Sequence, residues 1–214
     1  MLISSYNRAH LGDVLITILR PDTPSQSSEK KGDIVRIFSP ENNETLGYNF
    51  FNASKILTDL DEDGQINLDA QQVAKLNDAL QAAGFEGELE VDNEPKFVVA
   101  YVEEVKKHPD SDHLHITKVK IDGGRELQIV CGAPNIAEGQ RVVVAKVGAM
   151  MPTGMIIWPG KLRGVESPGM ICSARELGLP NAPQKRGILE LPEDDKQFAI
   201  GEAFDFAAGA KLFE

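Results

Sequence analysis

Lys161-Leu162-Arg163-Gly164-Val165-Glu166-Ser167-Pro168-Gly169-Met170-Ile171-Cys172-Ser173-Ala174-Arg175 is the run on which the second half of the chain turns. It holds a basic pair, Lys161 and Arg163, glycines at tight-turn spacing, hydroxyls at Ser167 and Ser173, and Met170. Catalysis would call for paired acids, a buried base or metal ligands. Backbone N–H groups, hydroxyls and cations are instead what phosphate oxygens need.

Working outward, the neighbouring segments read as short strands. Phe97 to Val105 is one, closed by a polar turn around Pro109. Leu114 to Ile121 is the next; its apolar phase moves from Leu114 and Ile116 to Val119 and Ile121, the mark of a β-bulge. Asp122-Gly123-Gly124 is a hairpin turn before a third strand, Glu126 to Cys131. Arg141 to Val147 is the fourth, Met150 opens a loop, and Met170 to Ser173 is the fifth. Five such strands suit a mainly β, five-stranded Greek-key barrel of the OB type, over residues 95–206. Phe198, Ile200, Phe204 and Phe206 are expected to pack onto it, with 207–214 as a tail and Glu193-Asp194-Asp195 as a solvated turn.

Residues 1–94 predict a separate acidic α+β domain. Val14 to Leu19, Ile34 to Phe38 and Thr45 to Phe51 read as strands, and Arg20 to Gly32, with Pro21 and Pro24, as a loop. Phe50 and Phe51 are expected as a core pair. Asp59 to Asn67 copies the opening of a calcium loop, but Ala70 stands where the bidentate Glu belongs, so an acidic turn and a short strand at Ile66 are expected instead. A helix follows, with Val73, Leu76, Leu80 and Ala83 on one stripe. Asp69 is its N-cap and Gly84 its C-terminal stop, with Phe85 folding back on Leu80. The acidic stretch Glu86 to Glu94, before Pro95, is the expected domain boundary.

A net charge of −11 speaks against a polyanion ligand only if it is spread evenly, and it is not. Residues 1–95 carry 7 basic against 17 acidic groups, whereas 141–186 carry 7 against 2. An acidic first domain would suppress indiscriminate polyanion binding. Cys131 and Cys172 are too few for a disulfide scaffold and read as reduced, buried thiols. Apolar runs such as Val14 to Leu19 are far too short to span a bilayer, so no membrane is expected. With no basic start and apolar core of a signal peptide, the expected address is the cytoplasm.

Three motifs carry a resemblance. Val105 to Leu114 contains the H-P-x-S-D-x-L turn at His108, Ile129 to Asn135 reads I-V-C-G-A-P-N, and Lys161 to Ser173 reads K-x-R-G-x-x-S-x-G-M-x-C-S. In this order they resemble the tRNA-binding (EMAP-like) domain of the bacterial phenylalanyl-tRNA synthetase β subunit. With an acidic domain ahead of it, the chain resembles the YtpR family of tRNA-binding-domain proteins.

The resemblance implies an OB barrel that meets the outer corner of tRNA by shape and backbone. Lys161, Arg163, Ser167, Gly169 and Met170 are the implied contacts, with Lys118, Asn135, Lys146 and Arg175 behind them. Arg163 offers a planar fork and Lys161 a point charge, and Met170 or Trp158 suits a splayed base. Basic residues are few, so affinity should be roughly micromolar or poorer at physiological salt. No synthetase catalytic domain, cofactor, metal or small-molecule substrate is expected. His108, Asp110, Asp112, His113 and His115 resemble metal ligands by type, yet Pro109 makes them a structural turn. Thiol chemistry at Cys131 is disfavoured by its place in a core strand. The rival reading is a protein-interaction module, a homodimer or a docking element for a synthetase-type partner, with no RNA ligand.

Overall fold

The structure, a computed structural model, describes residues 1–60, 64–193 and 196–214. It divides into two compact units, Met1–Glu94 and Pro95–Glu214.

The first unit runs β1 (Ile3–Tyr6), a short helix α1 (Arg8–Leu11), β2 (Val14–Ile18), β3 (Ser27–Lys31), β4 (Ile34–Phe38), β5 (Thr45–Phe51), β6 (Gly64–Ile66) and α2 (Ala70–Ala82). Its strands form one antiparallel sheet in the order β3-β4-β5-β2-β1-β6. Helix α2 lays Val73, Leu76 and Leu80 into a core with Leu15, Tyr48 and Phe50. Its ends are closed chemically. The Asp69 carboxylate accepts from Gln72 N–H at 2.8 Å while the Gln72 side chain accepts from Asp69 N–H at 3.0 Å, a capping box. At the other end Gly84 N–H donates to the Gln81 carbonyl and Phe85 N–H to that of Leu80, both at 2.9 Å, a Schellman closure.

Two expectations fail in this unit. Arg20 to Gly32 is not loop throughout, because Ser27–Lys31 is the edge strand β3, turned into β4 at Gly32-Asp33. None of its residues is buried, so hydropathy carries no signal there; the Gly-Asp pair was the readable one. Nor do Phe50 and Phe51 share a core. Successive strand residues face opposite sides, so Phe50 is fully buried and Phe51 is 38% exposed. Of the calcium-like loop, Asp61, Glu62 and Asp63 lie outside the described residues, as do Asp194 and Asp195 of the second acidic turn.

The second unit comprises β7 (Phe97–Lys107), β8 (His115–Lys120), β9 (Glu126–Cys131), β10 (Arg141–Lys146), β11 (Gly160–Leu162), β12 (Val165–Ser167), β13 (Gly169–Ile171) and α3 (Phe206–Ala210). Five of these strands form an antiparallel sheet ordered β13-β10-β7-β8-β9. Within it β10-β7-β8-β9 is the fourth-first-second-third order of a Greek key. Strand β13 comes round to β9 and nearly closes the barrel. The fit there is tight: Gly169 has φ +156°, and a Cβ on it would meet the Ala145 carbonyl oxygen at 3.2 Å and the Ile129 side chain at 3.3 Å. This is the OB architecture. The remaining pair, β11 and β12, is a small hairpin within the expected loop.

The bulge lies across from where it was expected. It is in β7 at Glu103, between Val102 and Glu104, while the alternation of β8 is unbroken from Thr117 to Ile121. Thr117 is buried because its hydroxyl donates to the Ile129 carbonyl at 2.8 Å. A satisfied threonine fills an interior position, and read as polar it mimics a slip in phase. At the C-terminus Phe198 and Phe204 are buried, and Phe206, although 39% exposed, packs edge-on against Phe97 of β7 and Phe204, with ring centroids 5.3 and 5.1 Å away; Ile200 is 39% exposed. Residues 207–214 pack on this unit through Ala208, Leu212 and Phe213. No helix among the described residues is long and apolar enough to cross a membrane.

Candidate nucleic-acid interface

Three chain excursions from the barrel build one face. The first is the hairpin β11–β12, whose two-residue turn is Arg163-Gly164. Both have positive φ, +45° and +83°, the geometry of a type I′ turn. Arg163 is an unusual occupant, since only glycine and short polar residues adopt this region cheaply. Its guanidinium answers by donating to the Asp110 carbonyl at 2.8 Å. Lys161 stands across from Glu166, 3.5 Å away, with both side chains more than 60% exposed. Such a pair contributes little and yields readily to a phosphate.

The second excursion is the loop from Gly148 to Trp158. Gly148 N–H donates to the Ile157 carbonyl at 2.8 Å, Ile157 N–H to Ala149 at 2.9 Å and Met151 N–H to Met155 at 2.7 Å. The loop is thus a folded finger, with Met155 half exposed at its tip and Trp158 part-buried at its base.

The third is the chain after β13. Ser173 N–H donates to the Glu176 carboxylate at 2.7 Å and Glu176 N–H to the Ser173 hydroxyl at 3.2 Å, a reciprocal cap that turns Arg175 outward. Further on, Asn135 holds Ile188 as a paired strand would. Its amide accepts from Ile188 N–H at 2.9 Å and donates to the Ile188 carbonyl at 3.1 Å and to Glu190 at 2.7 Å. This fixes the segment that carries Lys185 and Arg186, both exposed.

These excursions enclose a cleft of about 520 Å³, lined among others by Trp158, Met155, Met170, Arg175 and Arg186. The side chains of Arg175, Lys185 and Arg186 make no ion pair or hydrogen bond among the described residues, although each is exposed.

The residues singled out from sequence fall into two groups. Lys161 and Arg163 are exposed on the hairpin, whose Gly160 and Leu162 line the cleft, Arg175 is exposed at the cleft itself, and Met170 and Gly169 line it part-buried. Four others are occupied. Ser167 is 5% exposed; its hydroxyl accepts from Val130 N–H at 3.1 Å and donates to the Gly169 carbonyl, fastening β12 to β9 and β13. The Lys146 ammonium is buried against both oxygens of Asp122, at 3.2 Å each. Lys118 pairs with Glu126 at 2.8 Å and sits 4.0 Å from Glu103, and the bond to Glu126 pushes its pKa up. Asn135 positions the segment that carries Arg186. Ser167 and Lys146 are buried inside satisfied networks and have no donor free for a ligand, whereas Asn135 is part-buried and Lys118, its side chain 46% exposed, is held only by surface ion pairs. Lys185, Arg186 and Met155 were not singled out, although both cations stood in the basic 141–186 segment.

Neither thiol is activated toward the thiolate by its surroundings. Burial raises both, Cys172 to about 12, and a thiol so shifted stays protonated at neutral pH. His108 is 3% exposed and hydrogen-bonded at both ring nitrogens, and no His, Cys, Asp and Glu grouping that could hold a metal occurs among the described residues.

Comparison with known proteins agrees with this architecture. Residues 97–198 match the family described as "Putative tRNA binding domain", and residues 21–92 match one described as "Domain of unknown function (DUF4479)". The chain is 47% identical over 147 residues to the phenylalanine–tRNA ligase beta subunit of Oceanobacillus iheyensis, spanning 65% of this chain and 18% of that one. It is 52% identical over 130 residues to the same subunit of Ralstonia nicotianae, covering 56% of this chain and 16% of the other. It is 51% identical over 202 residues to the "Putative tRNA-binding protein YtpR" of Bacillus subtilis, covering 94% of this chain and 98% of that protein. Two-domain likeness at that identity, end to end, means that the chain belongs to the YtpR family.

Proposed function

We propose that the protein is a non-catalytic tRNA-binding protein that grips folded tRNA through its sugar–phosphate contour. The observation that carries this reading is the gathering of Lys161, Arg163, Arg175, Lys185 and Arg186 on the excursions of a single OB barrel, in a chain whose overall charge is −11. Shape and backbone are what a protein reads in a folded RNA whose deep major groove is closed to side chains. The names of the relatives, a tRNA-binding protein and tRNA ligase subunits, point the same way.

In this reading Lys161 and Arg163 hold phosphates at the hairpin, and Arg175 and Arg186 hold them at the cleft mouth. Residues 95–206 form the RNA-binding domain. The acidic domain, 1–94, repels indiscriminate polyanions. The cytoplasm is the compartment where such a ligand is found. A second reading draws on exposed Leu162 and Met155, 41% and 50%, which a second copy or a synthetase-type partner would cover. A mobility-shift titration with tRNA and with an unrelated single strand separates the two. Preferential, salt-sensitive binding of tRNA supports the first. A raised mass on size exclusion with no RNA binding supports the second.

A further inference from the structure

The cleft beside the cations has a chemistry of its own. Its walls are mostly apolar, with Trp158 at the base of the finger, Met155 at the tip and Met170 on β13. Its mouth is charged, with Arg175 and Arg186 on the rim beside Glu176, whose carboxylate is held by the Ser173 N–H at 2.7 Å. A backbone grip needs cations but no apolar hollow. At about 520 Å³ the space falls within the range, about 300–1,000 Å³, of pockets that take small organic molecules. The combination of an aromatic face, polarizable thioethers and guanidinium groups at the entrance fits a flat heteroaromatic ring carried on a phosphodiester chain.

We infer that this cleft receives one unstacked nucleobase of the bound RNA, its face against Trp158 and its flanking phosphates on Arg175 and Arg186. The inference rests on the tRNA-binding reading and adds a base contact to a surface otherwise limited to backbone. Charge complementarity selects this occupant over an apolar protein side chain. Two arginines with no side-chain partner at the mouth would be left desolvated by an apolar plug, and are satisfied by a nucleotide. The contact is tolerant of sequence, because stacking uses the ring face that every base has. Loop or end nucleotides can reach it; a base held in a duplex cannot.

Trp158 is the only tryptophan in the chain, so its emission reports on this cleft alone. The test is a titration of full-length protein with unmodified tRNA transcript, followed in parallel by Trp158 fluorescence and by mobility shift. The expected result is quenching with the same midpoint as the shift. Trp158→Leu, checked for native circular dichroism and melting, should bind roughly tenfold more weakly with an unchanged salt slope. Met155→Ser, at the exposed tip, is the second variant and should weaken binding in the same sense. Binding of tRNA with no change in Trp158 emission and undiminished affinity of both variants overturns the base-receiving cleft and leaves the tRNA reading standing. Failure of the wild-type protein to bind tRNA removes both.

Discussion

The imidazole of His108 joins the turn after β7 to the hairpin β11–β12. Asp110 N–H donates to its Nδ1 at 3.1 Å, which leaves the proton on Nε2, and Nε2 lies 3.3 Å from the Leu162 carbonyl oxygen. Arg163, one residue on, returns the bond to the Asp110 carbonyl. The H-P-x-S-D turn and the K-x-R-G hairpin, 54 residues apart, thus form one unit, with the basic pair held where the turn puts it. His108→Ala should delete both hydrogen bonds of this joint, cost about 1–3 kcal/mol in denaturant unfolding for the two together, and weaken tRNA binding by loosening the hairpin. A variant of wild-type stability and affinity would show that the imidazole only fills space.

Lys161→Ala with Arg163→Ala removes two exposed charges and no core contact. The double variant loses the Arg163 bond to the Asp110 carbonyl, so it should remain folded at a cost of about 1 kcal/mol and bind tRNA about tenfold or more weakly. Its plot of log K against log salt should be shallower by about 2, as two fewer counterions are displaced. Equal affinity and equal slope would move the phosphate grip off the hairpin.

Lys146 and Asp122 should behave as structure, not as ligand contacts. Burial pushes the Asp122 carboxyl up, but the hydrogen bonds from Arg125 and Lys146 outweigh it and the net shift is downward. A carboxylate with a lowered folded pKa contributes stability above its ordinary pKa near about 4 and loses it as pH falls through the folded value. Asp122→Asn should therefore cost about 1.5–3 kcal/mol at neutral pH, with the deficit shrinking below about pH 4. Its tRNA affinity, measured where the protein is folded, should be unchanged. A deficit that does not depend on pH would refute the ionic account.

The two thiols should be silent. Burial raises Cys131, and raises Cys172 to about 12, so a thiol-specific disulfide reagent at mildly alkaline pH should titrate neither until denaturant is added. Cys131→Ser should keep tRNA affinity. Rapid modification of the native protein, or loss of binding in a folded serine variant, would reopen chemistry at the cleft.

Most of the barrel is written locally. Strands β7 to β10 announce themselves by short apolar, β-branched runs and by turn residues such as Asp122-Gly123-Gly124, and α2 by its stripe and both caps. What escaped a local reading depends on partners distant in the chain. β3 has no buried residue and is defined by its pairing with β4, and the bulge at Glu103 shows only against β8. The site divides the same way. Lys161, Arg163 and Arg175 are identifiable by type, as cations in a glycine-rich segment, and all three are exposed. Ser167, Lys146, Lys118 and Asn135 are hydrogen-bond donors by type too, but their bonds to Val130, Asp122, Glu126 and Ile188 appear only in the fold, across 8 residues for Lys118 and Glu126 and across 53 for Asn135 and Ile188. Arg186 and Met155 reach the cleft through folded loops that leave no periodic signal.

The most direct test is the affinity of the full-length protein for labelled tRNA across salt, from about 50 mM to about 200 mM. Engagement of about four phosphates predicts tight binding in dilute buffer, roughly micromolar or weaker binding at the upper end, and a log–log slope of about −3. No binding at the lowest salt, or affinity indifferent to salt, would contradict a phosphate-gripping face on this barrel.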